Sequence, residues 1–138
     1  MAKYLVVIYG NEQSWAAAPA AWHDANSAIH GAFHASAGAA ILGANELEPT
    51  TRAVSVRRGP SGRPSVTDGP FLETKEVVAG YYLLDAPNLD EAIRLTSQAT
   101  ADHGGVEIRP IVAMAPLRSP ARRPRPPASA AEPWCHTG

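Results

Sequence analysis

Val77-Val78-Ala79-Gly80-Tyr81-Tyr82-Leu83-Leu84 is an uncharged run rich in Val and Tyr, with acidic and basic residues just before it and Asp85 after it. A short continuous apolar run with such flanks reads as a strand covered on both faces. Residues 3–9 (KYLVVIY) have the same character, and Gly10-Asn11 ends them. Two such strands belong at the centre of a sheet. The segments around them should then supply its edges and its covering helices.

From about Pro19 to Ala37 the spacing turns helical, with Trp22, Ala25, Ile29 and Phe33 on one stripe. Pro19 is tolerated in a first turn, and Gly38 suits a C-terminus. Arg52–Arg58 (RAVSVRR) alternates, Val54 and Val56 one way and Ser55 and Arg57 the other, as in a half-buried or edge strand. Residues 59–70 carry three glycines and three prolines and read as a long exposed connection. Asn88 with Glu91 has capping-box spacing, and Leu89, Ala92, Ile93, Thr96 and Ala99 continue as an inward helical stripe. After Gly104-Gly105, Val106–Val112 forms a last strand, which Pro110 confines to an edge.

The order β-α-β-β-α-β specifies an α+β, ferredoxin-like fold with an antiparallel sheet whose first and third strands are central. Two helices cover only one face of such a sheet. Yet both faces of the central strands are apolar, Leu5 and Val7 against Val6 and Ile8, Tyr81 and Leu83 against Tyr82 and Leu84. The uncovered face would expose on the order of several hundred Å² of apolar surface, so a homodimer built sheet to sheet is expected.

The chain's 138 residues suit one domain, assigned to residues 1–115. Residues 116–138 are dominated by Pro, Arg, Ala and Ser and read as a disordered tail with polyproline tendency. Its cluster Arg118, Arg122, Arg123 and Arg125 is either simply solvated or makes weak contacts with nucleic acid or an acidic surface. The net charge of -1 gives no field favouring nucleic acid or membranes. No run reaches the roughly 20 apolar residues that span a bilayer, and no leader pattern is evident. A single cysteine, Cys135, excludes an intrachain disulfide framework and makes a poor nucleophile in a tail. A cytoplasmic location is expected.

His23, His30 and His34 share one side of the first helix, at the margin of its core stripe. They are either a solvated shoulder or the source of a general acid or base. His30 and His34 have the i,i+4 spacing of zinc helices, but no H-E-x-x-H pattern or nearby Cys completes a set, so no metal is assigned. Asp68, at the head of the Asp68-Gly69-Pro70 turn, is either an Asx-turn acceptor or the carboxylate that orients an imidazole. Glu73, Lys75 and Glu76 form either a solvated lead-in to the strand or the rim of a ligand pocket. Arg57 and Arg58 are expected to face solvent. Tyr81 and Tyr82 point opposite ways, one into the core and one with its hydroxyl towards a cleft or dimer face. Phosphate-loop, dinucleotide and nucleophile-elbow motifs are absent, and no cofactor is assigned.

Asp68-Gly69-Pro70-Phe71, Glu73-Thr74-Lys75-Glu76 and Gly80-Tyr81-Tyr82 resemble the signature of the YCII-related proteins, in the branch named for its DGPF motif. Lys3–Gly10, His30-x-x-Phe33 and Glu107–Ile111 are similar to that family's other recurring segments, so the resemblance covers about residues 3–115. It implies a dimeric α+β barrel and a His–Asp pair in a cleft, His30 matching the helix histidine and Asp68 the carboxylate. Two functions follow as expectations. One is a small-molecule lyase, isomerase or hydrolase using His30 and Asp68, with Glu73, Lys75 and Tyr82 binding substrate. The other is a non-catalytic ligand-binding or regulatory dimer linked to an extracytoplasmic-function sigma-factor system.

Overall fold

The computed structural model describes residues 1–99 and 104–113. Strand β1 (Ala2–Gly10) leads into a short helix α1 (Glu12–Ala17), capped by the Asn11 side chain, which accepts from the Ser14 N–H at 3.1 Å. Helix α2 (Ala20–Ala37) follows, then β2 (Ile41–Glu46), β3 (Val54–Arg58), β4 (Pro64–Asp68), β5 (Val77–Ala86), α3 (Leu89–Thr96) and β6 (Gly104–Pro110).

Four strands form one sheet in the order β2-β5-β1-β6, and every adjacent pair is antiparallel. The two continuous apolar strands, β1 and β5, are central as expected. Each is hydrogen-bonded along both of its edges, and the charged residues of the two strands, Lys3 and Asp85, lie opposite each other near one end. Pro110 ends β6 at the sheet edge, opposite Tyr4.

The second strand of the sheet is not the expected one. Arg52–Arg58 contains a strand, but β3 pairs only with β4 in a separate hairpin, and β4 lies within the segment read as an irregular connection. The place beside β5 belongs to Ile41–Glu46. Only Gly38–Ala40 separates it from α2, and elements joined by so short a connection pack as neighbours. With that edge occupied, Val54–Arg58 takes its hydrogen bonds from the next segment. The hairpin leaves Val54, Val56 and Val66 more than half exposed.

The core lies between the sheet and the helices. Tyr4 and Val6 of β1, Tyr82, Leu84 and Ala86 of β5, Phe33 of α2 and Ala92 and Leu95 of α3 are buried together. α3 buries Ala92, Leu95 and Thr96, whereas Leu89 and Ile93 of the expected inward stripe are nearly half exposed; it is capped by Asn88, whose side chain accepts from the Glu91 N–H at 2.9 Å. α2 behaves differently. Of its 18 residues only Phe33 is fully buried, while Trp22, Asn26, Ile29 and His30 are half-buried. Its C-terminal half is docked and its N-terminal half stands over the sheet, leaving space beneath. Alternation sends Leu5, Val7, Tyr81 and Leu83 to the sheet face opposite the helices. The segment 116–138, read as a tail, lies outside the described residues.

Candidate functional site

The space beneath α2 is a cleft of about 510 Å³, lined from the helix by His23, Asn26, Ser27, His30 and His34. Its floor comes from β2 and β5 and includes Ala44, Glu46, Gly80 and Tyr82. Helical spacing of three and four residues puts the helix contributors on one face. On the sheet side, the pairing of β1 with β5 shifts between Ile8 and Tyr9, making Ala79 the extra residue of a bulge. Such bulges re-aim side chains beside sites. Gly80 lets the edge strand come close, since a Cβ there would lie 2.7 Å from the Asn45 carbonyl oxygen.

At the floor, the Nδ1 of His30 and the hydroxyl of Tyr82 are hydrogen-bonded at 2.7 Å. The Tyr82 ring is buried and packs edge-on to Phe33, with centroids 4.8 Å apart, and against His34 at 5.4 Å. The core thus fixes the phenol, and the phenol fixes the imidazole. Burial lowers the His30 pKa from 6.5, and the nearby His34 lowers it further, while Glu46 acts in the opposite direction. Burial also raises the Tyr82 pKa. Both effects favour the neutral forms, so at neutral pH the pair is a neutral imidazole and a neutral phenol, with one of their two protons in the hydrogen bond between them.

That pair is chemically reversible. When Nδ1–H donates to the Tyr82 oxygen, Nε2 is a base and the Tyr82 proton can be donated elsewhere. When Tyr82 donates to Nδ1, Nε2 carries the proton and is an acid. His34 and His23 line the same cleft but are exposed. Among the described residues no group of three or more His, Cys, Asp or Glu side chains is gathered as a metal site.

The expected His30–Asp68 pair is not formed within the chain. Asp68 ends β4 opposite Val54, is exposed and does not line the cleft. Among the described residues its side chain makes no hydrogen bond, to an imidazole or to a backbone N–H. The turn after it has an architectural task. Gly69, with φ +99°, donates its N–H to the Ala53 carbonyl at 2.8 Å and accepts from Ser55 Oγ at 2.6 Å. Phe71 lies beneath the Arg57 guanidinium, 3.8 Å from the ring centroid. These contacts fasten the hairpin to its own base and keep Asp68 with it.

Glu73 and Lys75 line a different, polar hollow together with Glu12, Thr50 and Gly69. There Glu12 accepts from the Thr50 N–H at 2.8 Å and from its hydroxyl at 2.6 Å, tying α1 to the segment after β2. Of the expected substrate-binding residues, only Tyr82 shares the cleft of His30. Glu46, Asn26 and Trp15 carry no functional signal in the sequence, and Trp22, expected in the core stripe, is half-buried beside the cleft. Glu46 belongs to β2, whose signal in the sequence is the short Gly38–Ala40 link from α2.

The architecture defines an antiparallel α+β protein of ferredoxin-like topology, with a cleft of small-molecule size between its first long helix and its sheet. The chain belongs to the YCII-related family, whose domain model matches residues 2–115. An uncharacterised protein of Rhizobium meliloti (strain 1021) is 42% identical over 78 residues, which cover 54% of this chain and 62% of that protein. The match thus spans less than two thirds of the relative's length. No helix among the described residues is long and apolar enough to cross a membrane.

Proposed function

We propose that the protein is a small-molecule enzyme, a lyase, isomerase or hydrolase, in which the neutral His30–Tyr82 pair moves a proton. The observation that carries this reading is the 2.7 Å contact between His30 Nδ1 and the Tyr82 hydroxyl at the floor of an open cleft. A general base works best when its pKa lies near or below the operating pH and its orientation is fixed. Burial supplies the first condition and Tyr82 the second. Tyr82 fills the role foreseen for Asp68, orienting the imidazole without adding a negative charge. The Tyr82 hydroxyl can also hold an oxygen of the substrate while Nε2 removes a proton beside it.

We further propose that it works as a cytoplasmic homodimer, joined through the sheet face bearing Leu5, Val7, Tyr81 and Leu83. The support is an apolar sheet face with no helix over it, and the absence of any disulfide framework in a chain with one cysteine.

The test is exchange of carbon-bound hydrogen for solvent deuterium in a panel of small hydroxy-carbonyl compounds, followed by NMR. The expected result is exchange of at least one compound class, reduced on the order of 10²- to 10⁴-fold in His30→Gln. Tyr82→Phe should lose less and shift the pH profile, because the base remains but its orientation is loosened. Saturable binding without exchange or turnover, unchanged in His30→Gln, would instead mark a non-catalytic ligand-binding or regulatory dimer.

A further inference from the structure

Next to the His30–Tyr82 cleft lies a second hollow of about 170 Å³, flanked by the indoles of Trp15 and Trp22. Ile8, Val106 and Ala99 contribute apolar wall, and Gly104-Gly105 contributes bare backbone. The two hollows share Ile8, His23, Asn26, Glu46 and Ala79, so they adjoin along these residues. Nothing in the proton-transfer reading uses the tryptophan end.

The chain holds Trp15 where it is by a specific device. A Cβ on Gly10 would lie 1.8 Å from Cζ2 of Trp15, so the indole rests directly on the backbone at the end of β1. Trp22 comes from the N-terminal half of α2, the half that does not dock on the sheet. Both indoles are only half-buried. Two large apolar rings held beside an unfilled hollow are poor economy for a core, which close-packs, and good construction for a ligand site.

Size and charge narrow the occupant. A dry apolar cavity of about 150 Å³ is enough for benzene, so this hollow accepts one six-membered ring. Indole faces favour an aromatic ring over a saturated one, by offset or edge-on contact. At the junction stands Glu46, which disfavours an anion, while Asn26 and His23 offer hydrogen bonds to a neutral polar substituent. We propose that the Trp15–Trp22 hollow is a binding subsite for a single uncharged aromatic ring, whose hydroxyl- or carbonyl-bearing substituent extends towards His30 and Tyr82. The proposal rests on the cleft's being a small-molecule site and not on its catalysing proton transfer.

Benzyl alcohol is the probe, titrated into the full ¹⁵N-labelled chain while the indole N–H signals of Trp15 and Trp22 and the His30 ring signals are followed. Both indole signals should move along one saturable curve together with those of His30. Cyclohexylmethanol should bind about three- to ten-fold more weakly, and benzoate more weakly than benzyl alcohol because of Glu46. Asn26→Phe, which puts a ring at the junction, should abolish the shifts while the His30–Tyr82 signals persist. Trp22→Ala should weaken binding similarly if it folds. Indole signals that stay fixed at saturating benzyl alcohol would overturn the proposal, as would equal affinity for the saturated alcohol or undiminished binding to Asn26→Phe. Fixed indole signals together with His30-dependent deuterium exchange would sink the aromatic subsite alone. Saturable aromatic binding without any exchange would support the subsite and sink the acid/base reading.

Discussion

Tyr82 is anchored at one end and active at the other. Its ring lies in the core against Phe33, and its hydroxyl reaches the Nδ1 of a half-buried histidine. A tyrosine suits this position because its body is apolar and its tip is not. A carboxylate there would hold His30 as an imidazolium, whereas a phenol leaves the imidazole neutral. The lowered His30 pKa has a consequence for stability. In the unfolded chain the group titrates near 6.5, while in the native state burial and His34 resist its protonation. The native form therefore binds fewer protons once the pH drops below that value. His30 costs no stability above about pH 6.5, and stability is lost as the pH falls from there through the native pKa. Urea midpoints at pH 7.5 and pH 5.5 should show a drop in the wild type that is smaller in His30→Gln. An equal drop in both would mean that His30 is not the group responsible.

At the scale of elements, the close approach of β2 to β5 decides what the cleft contains. Gly80 permits that approach, and Glu46 reaches the cleft from the strand so admitted. Gly80→Ala should push the Asn45 backbone, and β2 with it, away from β5 and cost about 1–3 kcal/mol by overpacking. Urea unfolding would measure the loss, and the His30 signals should move with it because Glu46 shifts. α3 offers a more local test. Its cap is the Asn88 side chain on the Glu91 N–H, so Asn88→Ala should cost about 1 kcal/mol. That change should leave the His30–Tyr82 signals unmoved, because α3 does not line the cleft. At this scale the sequence was partly legible. The apolar runs around Val6 and Leu84 and the capped stripe after Asn88 announced their elements directly. The alternation of Arg52–Arg58 announced a strand correctly but not its partner. Ile41–Glu46 lacks a clean alternation, because Gly43 interrupts it and its pairing with β5 shifts between Ile41 and Gly43.

At the scale of the whole molecule, two apolar surfaces lack cover. One is the sheet face of Leu5, Val7, Tyr81 and Leu83, half-buried and with no described helix over it, and the other is the exposed hairpin bearing Val54, Val56 and Val66. A second copy across the sheet face is the simplest arrangement that removes that face from water. Light scattering at micromolar concentration should give twice the 14.5 kDa chain mass. Leu83→Lys, on the uncovered face, should return it to the chain mass while the far-ultraviolet circular dichroism stays unchanged. A wild-type mass of 14.5 kDa would rule the dimer out.

The sequence by itself determined which segments are central strands and where the long helix and the capped helix run. Those facts follow from local periodicity and from uninterrupted apolar runs. It also carried the family signature. The tertiary structure decided which strand docks beside β5, and so which side chains meet. Pairing partners are chosen by competition for unpaired backbone edges across long sequence distances, and periodicity does not encode the winner. That competition sent Asp68 out on the hairpin, brought Glu46 into the cleft, and gave His30 a phenol for its partner.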